Sequence, residues 1–134
     1  MVGYSSNPLV VKLGIKEQMT LYVDGAPKEY RQLIAPIPSG TKISARLSSN
    51  VDLVHLFTTE KRELAKKLEA YRGSLKPEAA IWISWPKKSA KVPTDITEDT
   101  IREVALPLGF VDIKVCAVTD VWSGLKLVVR KSLR

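Results

Sequence analysis

Apolar residues fall into short continuous runs and into stretches with helical spacing, and these two patterns follow one another along the chain. The runs "VDLVHLFTT" (51–59) and "AAIWISW" (79–85) are nearly uninterrupted, which is typical of strands covered on both faces in a parallel sheet. Between them, apolar residues recur at helical spacing from 60 to 72, and Gly73 is suited to end a helix. The middle of the chain therefore predicts a strand, a helix and a second strand.

Weaker signals precede this region. The run "MTLYVDG" (19–25) predicts a strand that feeds a turn, and "KEYRQLI" (28–34) can form a short helix. The alternating segment "TKISARLS" (41–48) is typical of an edge strand. The opening residues 1–14, which are interrupted by glycine and proline, give no clear strand signal.

The C-terminal third predicts a helix and a hairpin. Asp95 and Glu98 have the spacing of a capping box, and the helix that they would start ends at Pro107. Two apolar strands, 110–118 and 125–131, then flank a turn. Strands that alternate with helices favour parallel pairing with right-handed crossovers. We therefore predict one domain, residues 1–134, with an α/β fold: a small Rossmann-like three-layer sandwich whose mostly parallel sheet ends in an antiparallel hairpin.

Composition supports a single folded domain. The chain has 134 residues, of which 45% are apolar and 26% charged, as in ordinary globular proteins. No apolar run approaches the roughly 20 residues that span a bilayer. The start of the sequence has no secretory signal pattern, and the lone Cys116 cannot form an internal disulfide, so we expect a cytoplasmic protein.

The charge balance favours anionic partners. The 21 basic and 14 acidic residues give a net charge of +7, although many lysines lie on helix faces where they would only be solvated. His55 is the only histidine, and on a buried strand it is more typical of core than of catalysis. We expect neither a metal site nor a cofactor.

Parts of the sequence resemble two known protein families. The segments "VDLVHLF", "LKPEAAIWISWPK" and "GFVDIKVCAV…WSGLKLVVRK" resemble the second half of an S-adenosylmethionine-dependent methyltransferase. More closely, "LGIK", "SWPKK…VPTD", "REVALPLG" and "KVCAV…WSGLKLVVRK" resemble a family of small bacterial proteins known only as a domain of unknown function. The second resemblance implies no activity.

The methyltransferase resemblance implies a set of cofactor-binding residues that this sequence lacks. Such sites need a glycine-rich turn after the first strand and a carboxylate after the second to hold the ribose. Here Gly25 stands alone in its turn, and Arg46 lies where the acid is needed. Asp24 is the one residue that favours the cofactor. We therefore predict that S-adenosylmethionine does not bind.

The resemblance also implies a ligand-binding rim. It places the last strand beside the strand that ends at Trp85, so that Trp122 would share an edge with Trp85 and with a loop containing Lys87, Lys88 and Lys91. The lysines and the following helix N-terminus would bind an anion between two tryptophan walls. The predicted ligand-binding residues are Ser84, Trp85, Lys87, Lys88, Ser89, Lys91, Thr94, Asp95, Trp122 and Ser123.

Other interpretations of these residues stay open. The loop can be only a soluble connection, and Asp95 can be only a helix cap.

Three functions compete. The sequence favours a module that binds a small anionic ligand or a protein partner at the rim and catalyses little or nothing. The second is a diverged transferase with Asp24, His55 or Asp95 as its general base. The third is weak, non-specific nucleic-acid binding through basic residues, although no nucleic-acid motif is present. Those residues are Lys87, Lys88, Lys91, Lys126, Arg130, Lys131 and Arg134.

Overall fold

The computed structural model describes residues 7–134, in which six strands form one sheet with helices on both faces. The strands are β1 (Thr20–Asp24), β2 (Lys42–Ser44), β3 (Leu53–Phe57), β4 (Ala80–Pro86), β5 (Phe110–Ala117) and β6 (Trp122–Val129). The α-helices are α1 (Leu9–Lys12), α2 (Tyr30–Leu33), α3 (Lys61–Ser74) and α4 (Glu98–Ala105). Three short 3₁₀ helices are Lys88–Ala90, Leu106–Leu108 and Lys131–Leu133.

The sheet has the strand order β2-β1-β3-β4-β6-β5. The first four strands in this order are parallel, whereas β6 runs antiparallel to both β4 and β5. The predicted fold class, a mostly parallel Rossmann-like sandwich with a C-terminal antiparallel hairpin, is confirmed.

The last strand, β6, lies between β4 and β5. Its pairing with β4 is continuous from Ala80 opposite Val128 to Pro86 opposite Trp122, so Trp85 lies opposite Ser123. The juxtaposition of these two segments, which the methyltransferase resemblance implied, is therefore confirmed.

Each face of the sheet has its own apolar core. Leu64 of α3 and Ile101 of α4 pack against one face, whereas Val10 of α1 and Tyr30 of α2 pack against the other. All five residues of β3 are buried, because this strand is covered from both sides. This double burial explains why the sequence of β3 is apolar at nearly every position.

Two helices differ from the predictions. Gly73 does not end α3, which continues to Ser74. Helix α1 was not predicted, because two of its four residues are valines, which favour strands over helices. Of the opening segment 1–14, residues 1–6 lie outside the described part of the chain.

The predicted capping box at Asp95 is also corrected. Helix α4 begins at Glu98, and its cap is Thr97, whose hydroxyl accepts a hydrogen bond from the Thr100 backbone N–H at 3.2 Å. Asp95 instead accepts a hydrogen bond from the backbone N–H of Lys61, the first residue of α3, at 2.7 Å. The Asp95 carboxylate therefore stabilises the N-terminus of a different helix.

We expect Asp95→Ala to lower the free energy of unfolding by about 0.5–2 kcal/mol, the usual loss when a helix N-terminus loses a carboxylate acceptor. Urea denaturation measures this loss. Glu69→Ala is the control, because Glu69 is exposed in the middle of α3, away from a helix N-terminus. Equal losses in the two variants would contradict the role assigned to Asp95.

Candidate functional site

The loop at residues 87–97, which we call the lysine loop, is fixed at both ends to the carboxyl edge of the sheet. At one end, the Lys87 N–H donates to the Val121 carbonyl at 2.7 Å. At the other, the Thr94 hydroxyl and the Asp95 N–H both donate to the Thr59 carbonyl, at 2.7 and 3.3 Å. The lysine loop therefore lies over the ends of β3 and β4, where parallel α/β sheets usually bind ligands.

Trp85 and Trp122, which were predicted to line one site, lie on opposite faces of the sheet. Trp122 pairs with Pro86 rather than with Trp85, and successive side chains on a strand alternate between faces. Trp85 is 7% exposed and packs in the core beside α3 and α4. Trp122 packs edge-on against Phe57 in the other core, with ring centroids 5.1 Å apart. The predicted single rim is therefore divided into two pockets.

The first, the Trp85 pocket, has a volume of about 320 Å³. It is lined by Trp85, Pro86, Lys88, Thr94, Ile96, Thr97 and Glu98. Lys88 is exposed and forms no ion pair with any residue from 7 to 134, whereas Glu98 is paired with Arg102. The pocket therefore combines an apolar wall with one available ammonium group.

The second, the Trp122 pocket, has a volume of about 300 Å³. It is lined by Pro27, Glu29, Leu33, Thr119, Asp120, Val121 and Trp122. Its two charged residues, Glu29 and Asp120, are both acidic. This pocket is therefore poorly suited to an anion.

Three of the ten predicted ligand-binding residues, Trp85, Lys88 and Thr94, line the Trp85 pocket together. Of the others, Ser89 and Lys91 are exposed on the lysine loop but line neither pocket. Lys87 and Ser123 are partly buried, and neither lines either pocket.

Ser84 is fully buried, and its hydroxyl lies 2.8 Å from the Nε2 atom of His55. It faces the protein interior rather than a ligand, which corrects its predicted place on the rim.

Sequence analysis missed Ile96, Thr97 and Glu98 as pocket residues. Ile96 and Thr97 are the last two residues of the lysine loop and Glu98 is the first of α4, so a wider window around the predicted rim could have found them.

The N-terminus of α4 offers less to an anion than predicted. Thr97 and Thr100 exchange side-chain and backbone hydrogen bonds, which satisfy two of the first amide groups. Glu98 and Asp99 place negative charge in the first turn. An anion in the Trp85 pocket would therefore depend on Lys88 rather than on the helix.

His55 lies at the centre of a buried polar chain. Its Nδ1 atom is 2.8 Å from the Tyr30 hydroxyl, and its Nε2 atom is 2.8 Å from the Ser84 hydroxyl. Burial lowers the pKa of His55 to about 3, so the ring is neutral near pH 7. Because the side chain is 0% exposed and both ring nitrogens are occupied, it joins α2, β3 and β4 within the core.

The residues after β1 do not fit S-adenosylmethionine. Gly25 has a φ of +73°, and a Cβ atom there would lie 2.5 Å from the Phe57 carbonyl oxygen, so this glycine is required by packing against β3. The Asp24 carboxylate lies 2.9 Å from the Lys67 ammonium and 3.1 Å from the Tyr71 hydroxyl.

The residues after β2 do not fit the cofactor either. Arg46 is exposed where an acid would hold the ribose, and the Ser44 hydroxyl is bonded to the Arg46 N–H at 3.1 Å. The first acid after β2 is Asp52, which is bonded to the Thr20 N–H and paired with Lys76, just before β3 begins. No side chain near Arg46 in sequence can therefore replace the missing ribose-binding carboxylate.

No protein-family model matches the chain, and no curated protein matches it. Among solved structures, it is similar to a SAM-dependent methyltransferase from Aquifex aeolicus, with a TM-score of 0.67 and 15% identity over 91% of this chain and 88% of that one. It is also similar to Aeropyrum pernix fibrillarin, which was solved with natively bound S-adenosyl-L-methionine, with a TM-score of 0.58 and 12% identity over 90% and 73% of the two chains. A third similar structure is the magnesium protoporphyrin IX methyltransferase from Synechocystis, with a TM-score of 0.56 and 11% identity over 91% and 74%.

The chain has a methyltransferase-like fold. At 11–15% identity the likeness establishes the fold and not the chemistry. The resemblance to the bacterial family of unknown function stays a prediction, because no family model supports it.

The described part of the chain contains neither a metal-binding group of side chains nor a membrane-crossing helix. Among residues 7–134, no group of three or more histidine, cysteine or carboxylate side chains could hold a metal ion. Within the same residues, no helix has the length and apolar character needed to cross a membrane.

The buried His55 should make stability depend on pH. In the unfolded chain its pKa is near 6.5, and in the folded protein it is about 3. Between these values the unfolded state binds a proton that the folded state does not, so the free energy of unfolding should fall as pH falls below 6.5. The slope is at most about 1.4 kcal/mol per pH unit, and above pH 6.5 it vanishes.

Urea denaturation between pH 7 and roughly pH 5, above the range of most carboxylates, measures this slope. His55→Gln should lower stability at pH 7 and remove most of the slope, since the chain has one histidine. A variant that keeps the parent's slope would show that another group causes it.

Proposed function

We propose that this methyltransferase-fold protein binds a small ligand in the Trp85 pocket, and that the ligand carries an apolar body and one anionic group. The observation that supports this most is the combination of an apolar wall with Lys88, which has no ion-pair partner among residues 7–134, at the strand ends. Binding of S-adenosylmethionine and methyl transfer are not part of the proposed function.

The size and lining of the pocket support a small organic ligand. Its volume of about 320 Å³ is at the small end of the range for ligand sites, which is roughly 300–1,000 Å³. Trp85, Pro86 and Ile96 provide apolar surface, and Thr94 and Thr97 add hydroxyl groups. An aromatic or short aliphatic body would bury its surface against this wall.

The charges support an anionic group on that ligand. Lys88 has no acidic partner among residues 7–134, whereas the carboxylate of Glu98 is ion-paired with Arg102, which also pairs with Asp99 and Asp112. The net charge of +7 also attracts anions to the protein from a distance. A carboxylate or phosphate on the ligand would give Lys88 an acidic partner.

The methyltransferase-like fold favours one alternative, a diverged transferase. Such an enzyme would need a general base near the strand ends, and the sequence offers three candidates. Asp24 is paired with Lys67, and Asp95 accepts a hydrogen bond from Lys61. His55 is sealed within the core. That all three are already engaged supports binding over catalysis.

We expect millimolar S-adenosylmethionine to leave the melting temperature unchanged, because the glycine turn and the ribose-binding acid are both missing. A ligand that binds only the folded state raises the melting temperature, so thermal unfolding measures this directly. Saturable binding with micromolar affinity by calorimetry would contradict the proposed loss of the cofactor site.

We expect phenyl phosphate, a probe with an apolar ring and a divalent anion, to stabilise the parent protein. Lys88→Ala should weaken its binding roughly tenfold or more, the usual effect of losing one charge-assisted hydrogen bond. Lys91→Ala is the matched control, since Lys91 lies exposed on the same loop outside the pocket. Thermal unfolding and calorimetry measure both variants.

Exposed loop lysines add little to stability, so neither variant should differ from the parent by more than about 0.5 kcal/mol without ligand. The proposal fails if phenyl phosphate does not stabilise the parent, or if Lys88→Ala and Lys91→Ala respond equally.

A further inference from the structure

Two lysines face each other across the terminal hairpin. Lys114 of β5 lies directly opposite Lys126 of β6. The register shifts between Asp112 and Lys114, so without this bulge Ile113 would lie opposite Lys126. Like charges at directly opposed positions destabilise a strand pair, and bulges often re-aim a side chain beside a functional site.

Lys12 and Lys16, near helix α1, complete a group of four that we call the lysine cluster. The Lys114 ammonium lies 3.4 Å from the Lys12 carbonyl oxygen, and the Lys12 ammonium lies 3.4 Å from the Ala117 carbonyl oxygen. Lys16 is close enough to Lys126 to act on its pKa. The cluster therefore joins α1, the turn after it and both strands of the hairpin.

Lys126 is the partly buried centre of the cluster. Its ammonium lies 5.9 Å from the centre of the Trp82 ring, and a Cβ atom on Gly14 would lie 3.3 Å from it. Burial lowers the pKa of Lys126, and the charges of Lys114 and Lys16 lower it further. Burial and the neighbouring lysines thus disfavour the positive charge of Lys126.

No carboxylate offsets this charge in the part of the chain from residue 7 onward. The ion pairs there involve Lys61, Lys67, Lys76 and Arg102, and none involves a lysine of the cluster. The Lys126 ammonium also donates no hydrogen bond to residues 7–134. Four positive charges without an acid among residues 7–134, two of them on the partly buried Lys12 and Lys126, favour the binding of an anion among them.

We propose that the lysine cluster binds a compound with two or more linked phosphate groups, which together carry more negative charge than a single phosphate ester. The site is independent of the Trp85 pocket, because Trp82 and Trp85 are three residues apart on β4 and their side chains lie on opposite faces of the sheet. A small, multiply charged phosphate suits lysines gathered around one centre. A nucleic-acid backbone carries single charges spaced along a strand and favours an extended basic surface.

Inorganic pyrophosphate at constant ionic strength is the test ligand. Lys114→Met/Lys126→Met removes two charges from the cluster and keeps the apolar stems. Lys28→Met/Lys66→Met removes two exposed charges elsewhere and serves as the matched control. We expect pyrophosphate to raise the melting temperature of the parent and of the control to a plateau, and its affinity for the cluster variant to fall at least about tenfold.

Without pyrophosphate at low salt, the cluster variant should be at least as stable as the parent, because a repulsive pair has been removed. This result also shows that the variant is folded. Lys88→Ala should respond to pyrophosphate as the parent does.

Three outcomes would overturn the proposal: a parent that pyrophosphate does not stabilise, a cluster variant that responds like the parent, or a response lost only in Lys88→Ala. Duplex DNA is the second arm of the experiment. If duplex DNA binding depends on the cluster while pyrophosphate leaves the parent unchanged, the partner is nucleic acid and the small-ligand proposal is wrong.

Discussion

The antiparallel pairing of β6 with β4 is the constraint on which the rest of the structure depends. It covers the last parallel strand along its whole length, from Ala80 to Pro86, and converts an open edge into the middle of a sheet. The same pairing brings the hairpin turn to the lysine loop, where the Lys87 N–H reaches the Val121 carbonyl at 2.7 Å. It also places Lys126 opposite Trp82, at the centre of the lysine cluster.

Both proposed binding sites lie along this strand pair, on opposite faces of the sheet. The Trp85 pocket is on the face of α3 and α4, and the lysine cluster is on the face of α1. At β1, by contrast, the residues where the fold would hold S-adenosylmethionine serve internal contacts: Gly25 packs against Phe57, and Asp24 pairs with Lys67. The chain thus has the methyltransferase-like sheet, and the cationic groups of both proposed sites lie near β4 and β6.

Much of the fold was predictable because buried strands and helices have recognisable apolar patterns in the sequence. Strands β3 and β4 are covered on both faces, so their continuous apolar runs were identified correctly. The sequence does not indicate on which face of the sheet Trp85 and Trp122 lie, because this depends on a strand register in which Trp122 pairs with Pro86. The prediction of Asp95 as a helix cap was wrong for a similar reason. Asp95 has suitable spacing, but its position beside Lys61 is set by tertiary packing. The lysine cluster was beyond sequence reasoning, since its members lie up to a hundred or so positions apart and a bulge sets their alignment.

Amide NMR spectra recorded during a titration with phenyl phosphate test most directly where the ligand site lies. If the site has moved to the side of β4, the largest shift changes should fall within residues 85–98, from Trp85 to the start of α4. Residues near Gly25 and Arg46, on the side of β1 and β2, should change little. The opposite result, with the largest changes around Gly25 and Arg46, would show that the chain still binds ligands where the methyltransferase fold does.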